Sequence, residues 1–226
     1  MSGFTKNSEL LSGGIDVAFA YLGFQAARVE QFAKAQENMI SAGAIFYDSA
    51  KTFDDMYSGA ARSGISYKNF TELVSQHGVG MQILGDGVSG GAKKFNQFFG
   101  VINKAGDQFG DWGLSNESMA DTYAQYIDVA RLTGTITHGM TNVLDKSKTG
   151  FIELMNETSA LASLTGMSRD KIIRDRFAAL SNPAAAAGIL KLREAGMHEQ
   201  ADAAEAILSQ LALAGDALGQ PGVELA

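Results

Sequence analysis

Cysteine is absent from this chain, which removes disulfide staples, thiolate metal sites and cysteine nucleophiles from consideration. Only two prolines occur, Pro183 and Pro221, and neither falls where its ring would break a helix interior. Long apolar runs are missing too. The most apolar stretch, Val17 to Phe24, lies between Asp16 and Arg28 and is too short to cross a bilayer. The opening Met1-Ser2-Gly3-Phe4-Thr5-Lys6 joins no basic region to an apolar one, so no secretory signal is read. Positive charge is in deficit: 18 Lys and Arg against 25 Asp and Glu leave −7, with a pI near 4.9. A broad electrostatic grip on phosphates is therefore not expected, and neither is specific nucleic-acid binding. Alternating β-branched runs are also lacking. Gly134-Thr135-Ile136-Thr137 is the single short strand candidate.

What is present points to helices. Hydrophobic residues make up 46% of 226, enough to bury a substantial core. The 26 glycines pull the other way, since each inside a helix costs about 1 kcal/mol relative to alanine. Helices punctuated by glycine joints reconcile the two. The expected fold class is all-α, with a long N-terminal helix, a Gly-rich middle segment and a distal helical bundle.

Residues 1–14 end in Gly13-Gly14 and read as a flexible arm. Residues 15–64 hold a long amphipathic helix and its break. Leu22, Val29, Phe32, Met39, Phe46, Phe53 and Tyr57 recur at spacings of three, four or seven and share one face. Such a helix is roughly 60 Å long at 1.5 Å per residue. Its seam has two possible partners, helices further along the chain or copies of itself. The second makes those seven residues an oligomer interface and the protein a homo-oligomer.

Ser58 to Gly64 breaks that helix. Residues 65–113 then read as glycine-jointed short helices. The first runs from Tyr67 to Gln76 with Ser66 as cap, and a glycine-dense joint follows from Gly78 to Gly91. Another helix spans Ala92 to Phe109, with Phe95, Phe98, Phe99 and Ile102 on an apolar face and Trp112 anchoring the corner. Residues 114–215 form the distal bundle, with helices near 116–132, 146–164, 169–181, 183–195 and 197–214. Asn182-Pro183 is a cap followed by proline at the first helical position, a strong start signal. In the last helix Ala203, Ala204, Ile207, Leu208, Leu211 and Ala214 form a small-residue packing face. Residues 216–226 read as a loose tail.

Chemistry-bearing motifs are few. Gly85-Asp86-Gly87-Val88-Ser89-Gly90 has the dinucleotide-binding spacing, but that motif needs a preceding strand and an acidic residue closing the next one. Neither is visible, so a hinge is the better reading. His77, His138 and His198 sit near helix ends or loops without ligand spacing. Asp54-Asp55 and the Glu153/Glu157 pair read as solvated faces. No catalytic residue, cofactor or metal site is expected.

Two helical segments end on the same word. Leu132-Thr133-Gly134 closes the first and Leu164-Thr165-Gly166 the second, each Gly being placed for a left-handed cap. Met167-Ser168-Arg169-Asp170-Lys171 restarts a helix, with Ser168 as cap and Asp170 in the first turn. The pattern Tyr126-Ile127-Asp128-Val129-Ala130-Arg131-Leu132-Thr133-Gly134, followed by Ser159 to Asp170, resembles a helical segment of tail tape-measure and other tail-internal structural proteins of tailed bacteriophages. The resemblance is clearest over residues 115–196 and fainter over 65–113. It brings no catalytic motif.

That resemblance implies a virion structural protein of the tail interior or connector, present in several copies. Its partners would be other tail or connector proteins, and its roles tail assembly and genome ejection, with membrane contact only on ejection. A fully helical chain of this length reaches about 340 Å, so a compact terminal domain or short-tail counterpart fits better than a continuous rod. Three other readings stay open. One is an internal virion protein ejected into the host envelope. Another is a cell-wall glycan hydrolase domain of a tail protein, for which Glu72 and Glu117 are the carboxylates to inspect. The last is a cellular helical adaptor.

Overall fold

The computed structural model describes residues 33, 37, 40, 57–104 and 112–217. Helix dominates them, and no strand occurs among them. Most of the expected long N-terminal helix falls outside this set.

Residues 57–62 are helical, so the break comes at Ser63-Gly64 rather than at Ser58. Gly64, at φ +66°, closes this turn. Its N–H bonds to Ala61 O at 3.3 Å, and Ile65 N–H bonds to Ala60 O at 3.1 Å. This double bond pattern is a Schellman cap, with Ala60 and Ile65 buried as its apolar contact.

Helix α1, Tyr67–Met81, starts where Ser66 Oγ accepts the Asn69 N–H at 3.2 Å. It does not stop at Gln76. Gly78 and Gly80 are buried inside it, and at Gly80 the Asp128 carboxylate approaches too closely for a Cβ. A 3-10 turn, Gln82–Leu84, follows, and α2, Gly87–Lys104, begins five residues earlier than the sequence pattern suggests. The expected long joint is thus reduced to Gly85 and Asp86. Gly91 faces the Met81 carbonyl so closely that an added Cβ would overlap it. These glycines allow helices to touch, and their helix-propensity cost is offset by packing.

Helix α3, Asn116–Leu132, is capped by Ser115, whose Oγ accepts the Ser118 N–H at 3.1 Å. Gly134 follows it at φ +73°. The Gly134–Thr137 stretch is a turn, not a strand: Ile136 N–H returns to Ala130 O at 3.0 Å and its side chain enters the core. Helix α4, Val143–Thr165, ends at Gly166 with φ +71°. Ser168 caps α5, Arg169–Leu180; Asn182 caps α6, Pro183–Glu194, accepting from Ala184 N and Ala185 N; α7 spans His198–Ala217.

One aromatic cluster ties these helices together. Phe70, Phe95, Phe99, Tyr123 and Phe151 are fully buried. Phe98 lies 4.0 Å, centroid to centroid, from Tyr123, and Trp112 meets Phe151 edge-on at 6.1 Å. Each such side chain stabilises the fold by about 1.5–3 kcal/mol through burial alone. The core continues through Ile173, Phe177 and Ile189 to Ala201. Trp112 therefore anchors its corner as expected, and Arg169 Nη1 bonds to its carbonyl at 3.0 Å.

The last helix is rotated from expectation. Ala201 and Ser209 are buried and Ala204 and Leu208 partly so, while Ala203, Ile207, Leu211 and Ala214 are exposed. A face of alanine and serine lets α7 lie close against α5 and α6, leaving the bulkier Ile207 and Leu211 outside.

Candidate functional site

Six of the seven seam residues, Leu22, Val29, Phe32, Met39, Phe46 and Phe53, lie outside the described residues. Tyr57 lies inside them. It is 39% exposed and its ring sits 5.4 Å from that of Tyr67. A second apolar surface was not anticipated as exposed. Ile207 and Leu211, one turn apart on α7, are 56% and 49% exposed, and Leu164 at the end of α4 is 83% exposed. Between α4, the start of α5 and the end of α7 runs an apolar groove of about 580 Å³, lined by Leu161, Met167, Ile172 and Leu213. No described helix is long and apolar enough to cross a membrane.

A more polar recess lies between α3, α4, α5 and α7. It encloses about 220 Å³. Val129, Leu154, Phe177 and Leu180 wall it with apolar surface, and Tyr126, Glu153, Glu157, Arg176 and Glu205 supply the polar groups. Local sequence explains the placement. Gly150 on α4 leaves the space that the Tyr126 hydroxyl fills, because a Cβ there would overlap it. The Tyr126 ring lies against Tyr123 at 6.3 Å and Phe151 at 5.9 Å. Burial first, then the nearby carboxylates of Glu205 and Glu153, push its pKa up from 10.0 to about 12.

Ion pairs brace the recess. Arg176 Nη2 meets Glu157 at 3.0 Å. Arg193 Nη2, at the end of α6, meets Asp202 at 2.7 Å and Glu205 at 3.2 Å. Burial is the largest single influence on the Arg193 guanidinium and lowers its pKa, but Glu205 and Asp202 together outweigh it and hold the group more firmly protonated. Thr135 Oγ1 donates to Glu205 at 3.0 Å and accepts from Thr133. The turn after Leu132-Thr133-Gly134 is thereby fastened to α7.

The histidines separate. His138 lies in an exposed turn and His198 opens α7. His77 departs from the expected place near a helix end. Because α1 runs on to Met81, His77 is inside it, 14% exposed, with Nδ1 donating to Asp128 at 2.5 Å and Nε2 3.8 Å from Asp121. No sequence spacing links residue 77 to residue 128, so only packing reveals the pair. Among the described residues no group of three or more His, Asp or Glu is placed to hold a metal.

The Gly85–Gly90 motif follows a 3-10 turn instead of a strand, so the support for pyrophosphate is missing there. Glu72 is 52% exposed and lies 3.9 Å from Lys68, and Glu117 is an exposed first-turn residue of α3. Glu153 and Glu157 are exposed as expected, although both also border the recess. What the described residues define is an all-α protein whose helices are joined by glycine caps. No family model, curated protein or solved structure matches the chain.

Proposed function

We propose that this chain is a structural protein of a tailed-bacteriophage virion, tape-measure-like or otherwise tail-internal, acting in tail assembly and genome ejection. It works without catalysis and without a cofactor, as a homo-oligomer that contacts other tail or connector proteins. The reading rests on the resemblance over residues 115–196. The observation that supports it best is the repeated Leu-Thr-Gly stop, with Gly134 and Gly166 both left-handed at φ +73° and +71°. Helices that stop on glycine and fold back on one another make compact bundles able to stack in several copies. The exposed Ile207, Leu211 and Leu164 supply apolar surface for such contacts.

The test is the protein composition of phage particles purified from a culture carrying the gene, with tails separated from heads. The chain should appear in the tail fraction in multiple copies per particle. Its absence from particles that contain every other tail protein would contradict the proposal.

A further inference from the structure

The recess between α3, α4, α5 and α7 has a balance of charge that selects one kind of guest. Arg176 is matched by Glu157 and Arg193 by Asp202 and Glu205. The remaining Nε and Nη1 of Arg176 are fully enclosed, so a guest in the recess does not reach them. Two groups facing the space are left unmatched among the described residues. Glu153 has no ion pair, and the Tyr126 hydroxyl has no hydrogen bond. Both offer oxygen lone pairs, and the tyrosine adds an electron-rich ring.

Size narrows the choice. About 220 Å³ is below the roughly 300–1,000 Å³ typical of small-molecule sites and suits a group of side-chain dimensions. Val129, Leu154, Phe177 and Leu180 give the recess apolar surface beside its polar groups. A guest must therefore join a short hydrocarbon stem to a single compact cation.

We infer that the recess binds a primary alkylammonium group, its head between the Glu153 carboxylate and the Tyr126 oxygen and its stem against Leu154 and Phe177. An ammonium brings three N–H donors to these acceptors. A quaternary ammonium brings none. The same chemistry is carried by a free alkylamine and by the lysine side chain of another protein.

The experiment follows 1H–15N spectra of the full chain at low salt. It is titrated with n-butylammonium and with Nα-acetyl-lysine N-methylamide, and tetramethylammonium and n-butanol serve as comparisons. Both primary amines should give saturable shifts centred on residues 126, 153 and 205. The side chain of Glu153 is exposed, so Glu153→Gln is expected to fold; it should weaken binding by roughly tenfold, the scale of one partly buried ion pair. Tyr126→Phe, which keeps the ring, should weaken it by a smaller factor. Tighter binding of the capped lysine identifies a protein side chain as the guest, and tighter binding of butylammonium a free amine. Absence of saturable shifts, equal binding of tetramethylammonium, or an unchanged affinity in Glu153→Gln overturns the assignment.

Discussion

His77 on α1 donates its Nδ1–H to Asp128 on α3 at 2.5 Å, and Gly80, one turn further along α1, leaves the room that this carboxylate occupies. Helix docking and hydrogen bonding are therefore coupled at one point. Gly80→Ala gains helix propensity of about 1 kcal/mol, but its methyl displaces the carboxylate and breaks the His77 contact. Overpacking and a lost charged hydrogen bond each cost roughly 1–3 kcal/mol. The expected outcome is net destabilisation, read as a lower urea midpoint. Gly188→Ala, at an exposed position of α6 where a Cβ meets nothing within 4 Å, should instead stabilise by about 0.5–1 kcal/mol and raise the midpoint. Equal effects of the two substitutions would refute the close-approach reading.

The two Leu-Thr-Gly caps should respond unequally. Both glycines are left-handed, so alanine at either is strained by about 1–2 kcal/mol. At Gly166 an added Cβ meets open space, whereas at Gly134 it lies 2.7 Å from Leu190 Cδ1. Gly134→Ala should therefore unfold at a lower temperature than Gly166→Ala. The reverse order in calorimetry would contradict this.

These caps were legible in the chain because capping is local. Ser66, Ser168 and Asn182-Pro183 mark helix starts through groups two or three residues away, and Gly134 and Gly166 mark stops. Three features were not legible. Gly78 and Gly80 look like a joint until α3 is placed beside them. The buried face of α7 is chosen by how closely α5 and α6 approach, which an apolar count along the helix does not register. The polar recess needs four helices at once, and its Tyr126–Gly150 contact joins residues with no shared local pattern.

The hydroxyl of Tyr123 donates to Ser147 Oγ at 2.8 Å, and Ser147 donates onward to Leu144 O at 2.9 Å. Both side chains are buried. Ser147→Ala leaves the tyrosine hydroxyl enclosed without a partner, a cost of roughly 1–3 kcal/mol. Tyr123→Phe removes the donor while Ser147 keeps its carbonyl, so its cost should be smaller. A chemical-denaturation comparison that ranks Tyr123→Phe as the worse variant would count against this account.

Alkaline stability follows from Tyr126. Its pKa rises from 10.0 unfolded to about 12 folded. Between those values the unfolded chain loses the proton that the folded chain keeps, so the unfolded state binds fewer protons and stability falls as pH rises. Below pH 10 the contribution is fully present. Burial pushes Tyr123 upward as well, steepening the loss. Tyr126→Phe should flatten the fall in denaturant midpoint across pH 10 to 12, and an unchanged slope would show that the ring does not titrate late.

The proposed homo-oligomer would assemble through the apolar seam of residues 22–57. Sedimentation velocity on the full chain, beside Phe32→Asp/Phe46→Asp, tests it directly. The unmodified protein should sediment as an oligomer. The double variant should sediment as a monomer that keeps the helical signal and cooperative unfolding of residues 115–214. A monomeric unmodified protein at micromolar concentration, or an oligomer untouched by the two aspartates, would contradict the account.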